Sequence, residues 1–127
     1  MPQNARPELR VTLRLMSLHG PQEESIELAV DPSALYTWIP KEVTERVGVR
    51  DRNVWRFRTA AGATIERRVG DVRIEVEGHQ GATVVVFAEP EDRVILGSLA
   101  LTSVGLEADP ATGILREMEY FLALATA

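Results

Sequence analysis

Apolar and polar residues alternate along most of this chain, and a period of two residues is typical of half-buried β-strands. The run at 82–87 is apolar at nearly every position instead, which is typical of a strand buried on both faces. Glycine and proline separate these runs at turns. The pattern therefore predicts strands at residues 9–15, 26–30, 36–39, 54–59, 64–69, 72–77, 82–87 and 94–96, and a final hairpin made of 106–108 and 114–115.

Two short segments fit helices better than strands. Pro40 suits the first helical position and Gly48 suits the end, so we predict a helix over residues 40–47. Ser98 is a typical N-cap residue and predicts a second helix that ends at Gly105. Together the elements predict one mostly β domain over residues 1–127, with a core of about 9–117 and an apolar tail at 118–127.

Composition narrows the classes of function. The chain has 127 residues and no cysteine, which excludes thiol catalysis, disulfide scaffolds and zinc sites that use cysteine. Its net charge of −5 disfavours general binding to nucleic acid, and we expect Arg56 and Arg58 to lie on one solvated strand face. No apolar run reaches the length of a membrane helix, and the N-terminal segment lacks the pattern of a signal peptide. We therefore expect a cytoplasmic protein that binds neither nucleic acid nor a membrane.

Asp31 is the strongest candidate in the chain for a residue with a chemical role. It directly follows the apolar strand at 26–30 and precedes a sharp turn and a second apolar stretch at 35–39. A carboxylate at the edge of a core meets both desolvation and neighbouring charges, and either can shift its pKa. The simpler interpretation is an Asx turn, in which the Asp31 side chain binds the backbone just beyond Pro32. The sequence leaves both roles open.

The remaining candidates carry weaker signals. His19 and His79 lie in glycine-flanked turns without a second ligand at metal-binding spacing, so we expect no metal site. Ser33 lacks the surrounding pattern of a nucleophile elbow, and no glycine-rich phosphate loop occurs, so we expect no cofactor. The aromatic residues of the strands are expected to line a core or a groove rather than to stack on bases; they are Trp38, Trp55 and Phe57.

The order of these parts resembles one known family. A hairpin leads into Leu28-Ala29-Val30-Asp31-Pro32-Ser33-Ala34 and Tyr36-Thr37-Trp38-Ile39-Pro40, and a later hairpin with a small-residue tip precedes Val94-Ile95-Leu96-Gly97 and a helix. Between about residues 11 and 115, this order is similar to that of the retroviral-type (retropepsin-like) aspartic proteases, in particular their small bacterial relatives. The resemblance implies a closed β-barrel or sandwich with a flap hairpin and one or two short helices.

The resemblance also implies a role for each matching residue. Asp31 corresponds to the catalytic aspartate, and the loop that carries it continues through Pro32, Ser33 and Ala34. The other matching residues are the flap tip, Ala60, Ala61, Gly62 and Ala63, and a supporting segment, Ile95, Leu96 and Gly97. In that family two aspartates share one proton and activate a water for peptide hydrolysis. Because this chain offers one such aspartate, the implied enzyme is a homodimer that acts on an extended peptide or protein.

The chain departs from the family pattern directly after Asp31. The family has Thr or Ser followed by Gly, whereas this chain has Pro32 and Ser33. Proline has neither the hydroxyl nor the N–H group that could hold the two loops of a dimer together. A second interpretation is therefore a catalytically inactive, protease-like module that binds peptides or dimerises. A third is a small β-barrel interaction domain in which Asp31 is only a turn residue.

The apolar tail at 118–127 bears on whether the chain dimerises. Contiguous exposed apolar residues mark an interaction surface more often than a free chain end. The resembling proteases use terminal strands in their dimer interface, which implies the same use here. The alternative is that the tail packs back on its own domain.

Overall fold

The alternating segments form the strands of one mixed sheet. The structure is a computed structural model that describes residues 8–109 and 111–126, so residues 1–7 of the predicted domain and the last residue of the predicted tail lie outside it. No helix in those two ranges is long and apolar enough to cross a membrane. The elements are β1 (Arg10–Met16), β2 (Glu23–Val30), β3 (Thr37–Pro40), α1 (Lys41–Val47), β4 (Asp51–Arg58), β5 (Thr64–Val76), β6 (His79–Ala88), β7 (Ile95–Leu96), α2 (Ser98–Ser103), β8 (Leu106–Ala108) and β9 (Leu115–Glu117).

The main sheet has seven strands in the order β1-β2-β7-β3-β6-β5-β4. Most neighbours are antiparallel, but β2 with β7 and β3 with β6 are parallel. The last two strands, β8 and β9, form a separate two-stranded sheet. With 49% of the described residues in strands and 11% in helices, the prediction of a mostly β fold with short helices is confirmed.

The expectation of a closed barrel is wrong for this sheet. The sheet curves far enough for β1 to pair with β5 as well as β2, at residues 13–16 and 73–76. Between β2 and β3, the sheet is continuous only through β7. This strand has two residues and pairs with β3 only at Trp38 and Ile95. The ring of pairings is thus only two residues wide at β7, and the sheet is large and mixed but is not closed into a regular barrel.

Inward-facing residues of the strands and of both helices form one hydrophobic cluster. Val43 and Val47, four residues apart on α1, are both buried, and α2 contributes Ala100 and Leu101. The predicted burial of 82–87 on both faces holds for the later part of β6, where every residue of 85–88 is buried. The largest fully buried side chains of the strands are Leu13, Leu15, Leu28, Ile39, Ile74, Phe87 and Leu96.

Several predicted boundaries are wrong. Pro40 is the N-cap of α1 instead of its first residue, and β2 and β6 begin earlier than predicted. The predicted strands at 64–69 and 72–77 are one strand, β5, because Gly70 allows a close approach to Arg50 instead of ending the strand; a Cβ there would lie 2.5 Å from the Arg50 carbonyl oxygen. Pairing with β5 also extends β4 back to Asp51. Finally, the N-cap of α2 is Gly97, which makes no side-chain capping bond, and Ser98 is already helical.

Gly97 permits the tightest backbone approach beside β7. A Cβ at this position would lie 2.4 Å from the carbonyl oxygen of Tyr36 and 2.8 Å from that of Leu35. The Gly97 N–H donates a hydrogen bond of 2.9 Å to the buried Thr37 hydroxyl. Because the close atoms belong to the backbone, no side chain can move aside to make room for a larger residue.

We predict that Gly97→Ala lowers the free energy of unfolding by about 2 kcal/mol or more, because the added methyl group forces two backbone segments apart. Urea denaturation of the purified variants measures this loss. Gly20→Ala is the matched control, since its Cβ would meet only the mobile end of the Gln22 side chain, at 2.5 Å. We expect the control to stay within about 0.5 kcal/mol of the parent. Equal losses in the two variants would contradict the role given to Gly97.

Candidate active site

Asp31 occupies a tight turn at the end of β2. Its backbone N–H donates to the carbonyl oxygen of Leu96 over 3.0 Å, and its own carbonyl oxygen accepts the Ala34 N–H over 3.1 Å. The Ser33 N–H donates to Oδ1 of Asp31 over 3.0 Å. This is the Asx turn that the sequence allowed, so the turn interpretation is confirmed as local geometry. The turn also fixes the position of the carboxylate at the C-terminal end of β2.

Both oxygens of the Asp31 carboxylate have donors. Oδ1 accepts a second bond from the Ser33 hydroxyl over 2.5 Å. Oδ2 accepts a bond from Nη1 of Arg93 over 3.2 Å. The Asp31 side chain is 22% exposed and the Arg93 side chain is 67% exposed, so this ion pair lies where solvent reaches it. The carboxylate is therefore hydrogen-bonded through both oxygens and still partly accessible to solvent.

These contacts lower the pKa of Asp31 below its usual value. The Ser33 hydroxyl is the largest cause, partial burial opposes it, and the Ser33 N–H and the Arg93 guanidinium lower the pKa further. Each donor stabilises the charged carboxylate more than the neutral acid. Asp31 in a single chain is consequently ionised at neutral pH.

The segment from β7 to α2 lies directly against the Asp31 turn. Beyond the bond from Asp31 to Leu96, the Ala34 carbonyl oxygen accepts the Ser98 N–H over 2.8 Å, and the Leu35 carbonyl oxygen accepts the Leu99 N–H over 3.0 Å. Ile95 and Leu96 are buried beside β2. The structure thus brings the predicted supporting segment and the predicted active-site loop together through backbone hydrogen bonds.

The β4–β5 hairpin ends in the predicted small-residue tip. The Thr59 carbonyl oxygen accepts the Gly62 N–H over 2.9 Å, and the Thr59 N–H donates to the Ala63 carbonyl oxygen over 2.8 Å. Gly62 has a φ of 88°, a left-handed conformation that favours glycine. The four tip residues are exposed: Ala60, Ala61, Gly62 and Ala63. The hairpin projects from the sheet, and its tip is held by its own turn.

Four aromatic residues join the base of the hairpin to the segment that follows Asp31. Ring centroids are 5.4 Å apart for Tyr36 and Trp55 and 5.0 Å apart for Trp38 and Phe57. Trp55 and Phe57 lie on the same face of β4, whereas Arg56 and Arg58 lie on its exposed opposite face, as expected. The aromatic cluster thus orients the hairpin over the polypeptide just beyond the carboxylate.

A cavity of about 320 Å³ lies between these parts. It is lined by Trp38, Thr59, Glu91, Asp92, Arg93 and Ile95. Thr59 comes from the hairpin and Arg93 is the residue that binds Asp31, so the cavity extends from the hairpin to the arginine partner of Asp31. Its volume is within the range of small-ligand pockets, about 300–1,000 Å³.

The loop that carries Arg93 is anchored by an ion pair with little exposure. Arg67 on β5 binds both carboxylate oxygens of Asp92, at 2.6 and 2.9 Å, and the two side chains are only 11% and 10% exposed. Asp92 also accepts the Glu89 N–H over 2.8 Å. Removing either partner would leave the other charge poorly compensated. The pair therefore ties the hairpin strand β5 to one wall of the cavity.

The other sequence candidates stay apart from this site. His19 lies in the exposed turn between β1 and β2. His79 begins β6 and has Nε2 at 3.8 Å from a Glu117 carboxylate oxygen. Within residues 8–109 and 111–126, no group of three or more His, Cys, Asp or Glu side chains is arranged to hold a metal ion.

Sequence reasoning missed Arg93, Tyr36 and the pair formed by Arg67 and Asp92. Arg93 lies in a polar loop and is separated from Asp31 by 62 positions, so no local pattern connects them. Tyr36 was visible only as part of an apolar stretch. The one usable signal was the spacing of Arg67 from Ile65 and Val69, which places all three on one face of a strand.

We predict that Ser33→Ala raises the pKa of the Asp31 carboxyl more than Arg93→Gln does, because the Ser33 hydroxyl is the largest cause of its depression. NMR titration of the Asp31 carboxyl carbon measures both shifts. With its folded pKa below the unfolded value, ionised Asp31 stabilises the fold above the unfolded pKa, and this stabilisation is lost as the pH falls through the folded pKa. A larger shift in Arg93→Gln would contradict this ranking.

Comparison with known proteins does not identify the site. Neither the known protein families nor the curated proteins contain a match to this chain. What the site does must therefore be inferred from the contacts of Asp31, the hairpin and the cavity between them.

Proposed function

We propose that the chain is an aspartic endopeptidase of the retroviral type that works as a homodimer. The observation that carries the proposal is the position of Asp31: it lies in a strand-end turn, its backbone N–H donates to Leu96 in the β7 segment, and its carboxylate binds Arg93, which lines a cavity bordered by the projecting hairpin. An extended peptide or protein is the substrate that such an arrangement suits. The cytoplasmic location expected from the sequence stays a prediction.

The proposed chemistry requires two copies of Asp31. Two carboxylates about 3 Å apart cannot both stay ionised, so they share one proton. The ionised member takes a proton from water as the water attacks the peptide carbonyl, and the protonated member donates a hydrogen bond to the carbonyl oxygen. In this arrangement Ser33 keeps Oδ1 of each Asp31 in place, and Oδ2 meets the second carboxylate once Arg93 has released it.

The tail provides a surface for dimerisation. Its backbone is joined to the rest of the chain where the Met118 N–H donates to the Gly105 carbonyl oxygen over 2.8 Å. Beyond that point the large apolar side chains are mostly exposed: Tyr120 by 80%, Phe121 by 59%, Leu122 by 85% and Leu124 by 85%. Burial of these side chains against a second copy would be favourable by about 25 cal/mol per Å² of apolar area.

A second candidate function is an inactive, protease-like module that binds peptides. Two observations favour it. Pro32 has no donor with which to link two active-site loops. In addition, Ser33 and Arg93 together satisfy both oxygens of Asp31 within one chain, which favours a permanently charged carboxylate over a shared proton. The two candidates differ in whether Asp31 cleaves a peptide or only contributes to its binding.

We predict that the parent chain cleaves peptides from a mixed library between about pH 4 and 7, where a shared-proton pair operates, and that Asp31→Asn abolishes cleavage. Mass spectrometry of the products measures the rate. Cleavage at equal rates by both proteins, or by neither, would remove the peptidase proposal. If an inert parent becomes active on the double change Pro32→Thr and Ser33→Gly, the inactive-module alternative is supported instead.

We also predict that the double change Leu122→Ser and Leu124→Ser raises the dimer dissociation constant by about tenfold or more, because it removes apolar area that the second copy would bury. Sedimentation equilibrium measures this constant. Leu18→Ser is the control, since Leu18 is 42% exposed but lies in the turn between β1 and β2. An unchanged constant in the tail variant would exclude the tail from the interface.

A further inference from the structure

Arg93 has more hydrogen-bonding capacity than its contact with Asp31 uses. A guanidinium group carries five N–H donors in a fixed planar arrangement. Among the described residues, the single side-chain hydrogen bond of Arg93 is the one from Nη1 to Oδ2 of Asp31, at 3.2 Å. With its side chain 67% exposed, the guanidinium is accessible to a molecule that enters from solvent.

Arg93, the partner of Asp31, also lines the 320 Å³ cavity. Trp38 and Ile95 provide apolar surface in that cavity, and Thr59 provides a hydroxyl at the base of the hairpin tip. A side chain with a short apolar stem and a charged end suits such a lining, because the stem contacts the apolar wall while the end reaches the guanidinium.

The two acids of the cavity wall, Glu91 and Asp92, share one arginine, Arg67. Asp92 is paired with Arg67 at 2.6 Å, and Glu91 lies 3.6 Å from the same guanidinium. Arg93 contacts neither of these two acids within hydrogen-bonding distance; its carboxylate partner is Asp31. An incoming carboxylate would therefore compete with Asp31 for Arg93.

We propose that Arg93 selects peptides that carry an acidic side chain, Asp or Glu, beside the bond to be cleaved. Arginine prefers two parallel bonds to one carboxylate, and such a pair is stronger than the single contact that Arg93 makes with Asp31. A peptide carboxylate that binds Arg93 in this way releases Oδ2 of Asp31. The inference rests on the proposed peptidase function for the consequence of that release, whereas the binding preference stands by itself.

Two matched fluorescent peptides test the binding preference. Both consist of Ala, Ser and Leu around one central residue, which is Glu in the first and Gln in the second. By fluorescence anisotropy, we expect the parent chain to bind the Glu peptide about fivefold more tightly. The preference disappears in Arg93→Gln and persists in Arg46→Gln, a control whose arginine is 60% exposed and paired with Glu24. Equal affinities in the parent, absence of binding, or a preference that survives in Arg93→Gln overturns the inference.

The affinity of Asp31→Asn for the two peptides is a second test. A purely structural role for Arg93 would not change the preference for the Glu peptide in this variant. Because the neutral amide competes less well for the guanidinium, we expect this variant to bind the Glu peptide about threefold more tightly than the parent does. The affinity for the Gln peptide changes by a smaller factor, so the ratio of the two affinities rises. A gain for both peptides alike, or for neither, contradicts competition between the peptide carboxylate and Asp31.

Cleavage rates separate this inference from the peptidase proposal. If the parent cleaves the Glu and Gln peptides with equal kcat/KM, the inference fails and the peptidase proposal stands. If the parent cleaves neither peptide but binds the Glu peptide through Arg93, the peptidase proposal fails and Arg93 remains the residue that selects acidic peptides.

Discussion

The two-residue strand β7 determines the geometry of the candidate site, because it lies between β2 and β3 and bonds to the polypeptide that follows β2. The Leu96 carbonyl oxygen accepts the Asp31 N–H over 3.0 Å, and the Gly97 N–H donates to the hydroxyl of Thr37 over 2.9 Å. Such close contact between backbones is possible only because residue 97 has no Cβ. The position of the carboxylate therefore depends on a packing constraint at a residue far from it in the sequence.

The contacts around Asp31 oppose the chemistry proposed for it, because they favour the ionised carboxylate over a shared proton. Ser33 and Arg93 favour the charged carboxylate, whereas a second carboxylate nearby would raise the pKa of one member of the pair. The exposed contact with Arg93 contributes little to stability, so separating it costs little. In contrast, the poorly exposed pair of Arg67 and Asp92 keeps the Arg93 loop in place. Dimerisation and an acidic peptide would both act on the weaker of these two ion pairs.

Much of the fold could be predicted because strand periodicity is local. The alternation of Leu13 and Leu15 with polar neighbours predicted β1, and both side chains are fully buried. The hairpin tip and the turn at Asp31 were predicted from residue types whose conformational preferences do not depend on distant contacts. The continuity of β5 through Gly70 was not predicted, since a glycine in a strand indicates a break unless the neighbouring backbone is known.

The sequence by itself determined which segments extend, where the chain turns, and that Asp31 ends an apolar strand, because backbone sterics and side-chain alternation act over a few neighbouring residues. Only the tertiary structure decided that β7 inserts beside β2, that the sheet is not closed, and that Arg93 binds Asp31 across 62 positions. Those outcomes depend on which strands align and how closely their backbones approach. These are properties of the packed chain as a whole, and no local pattern encodes them.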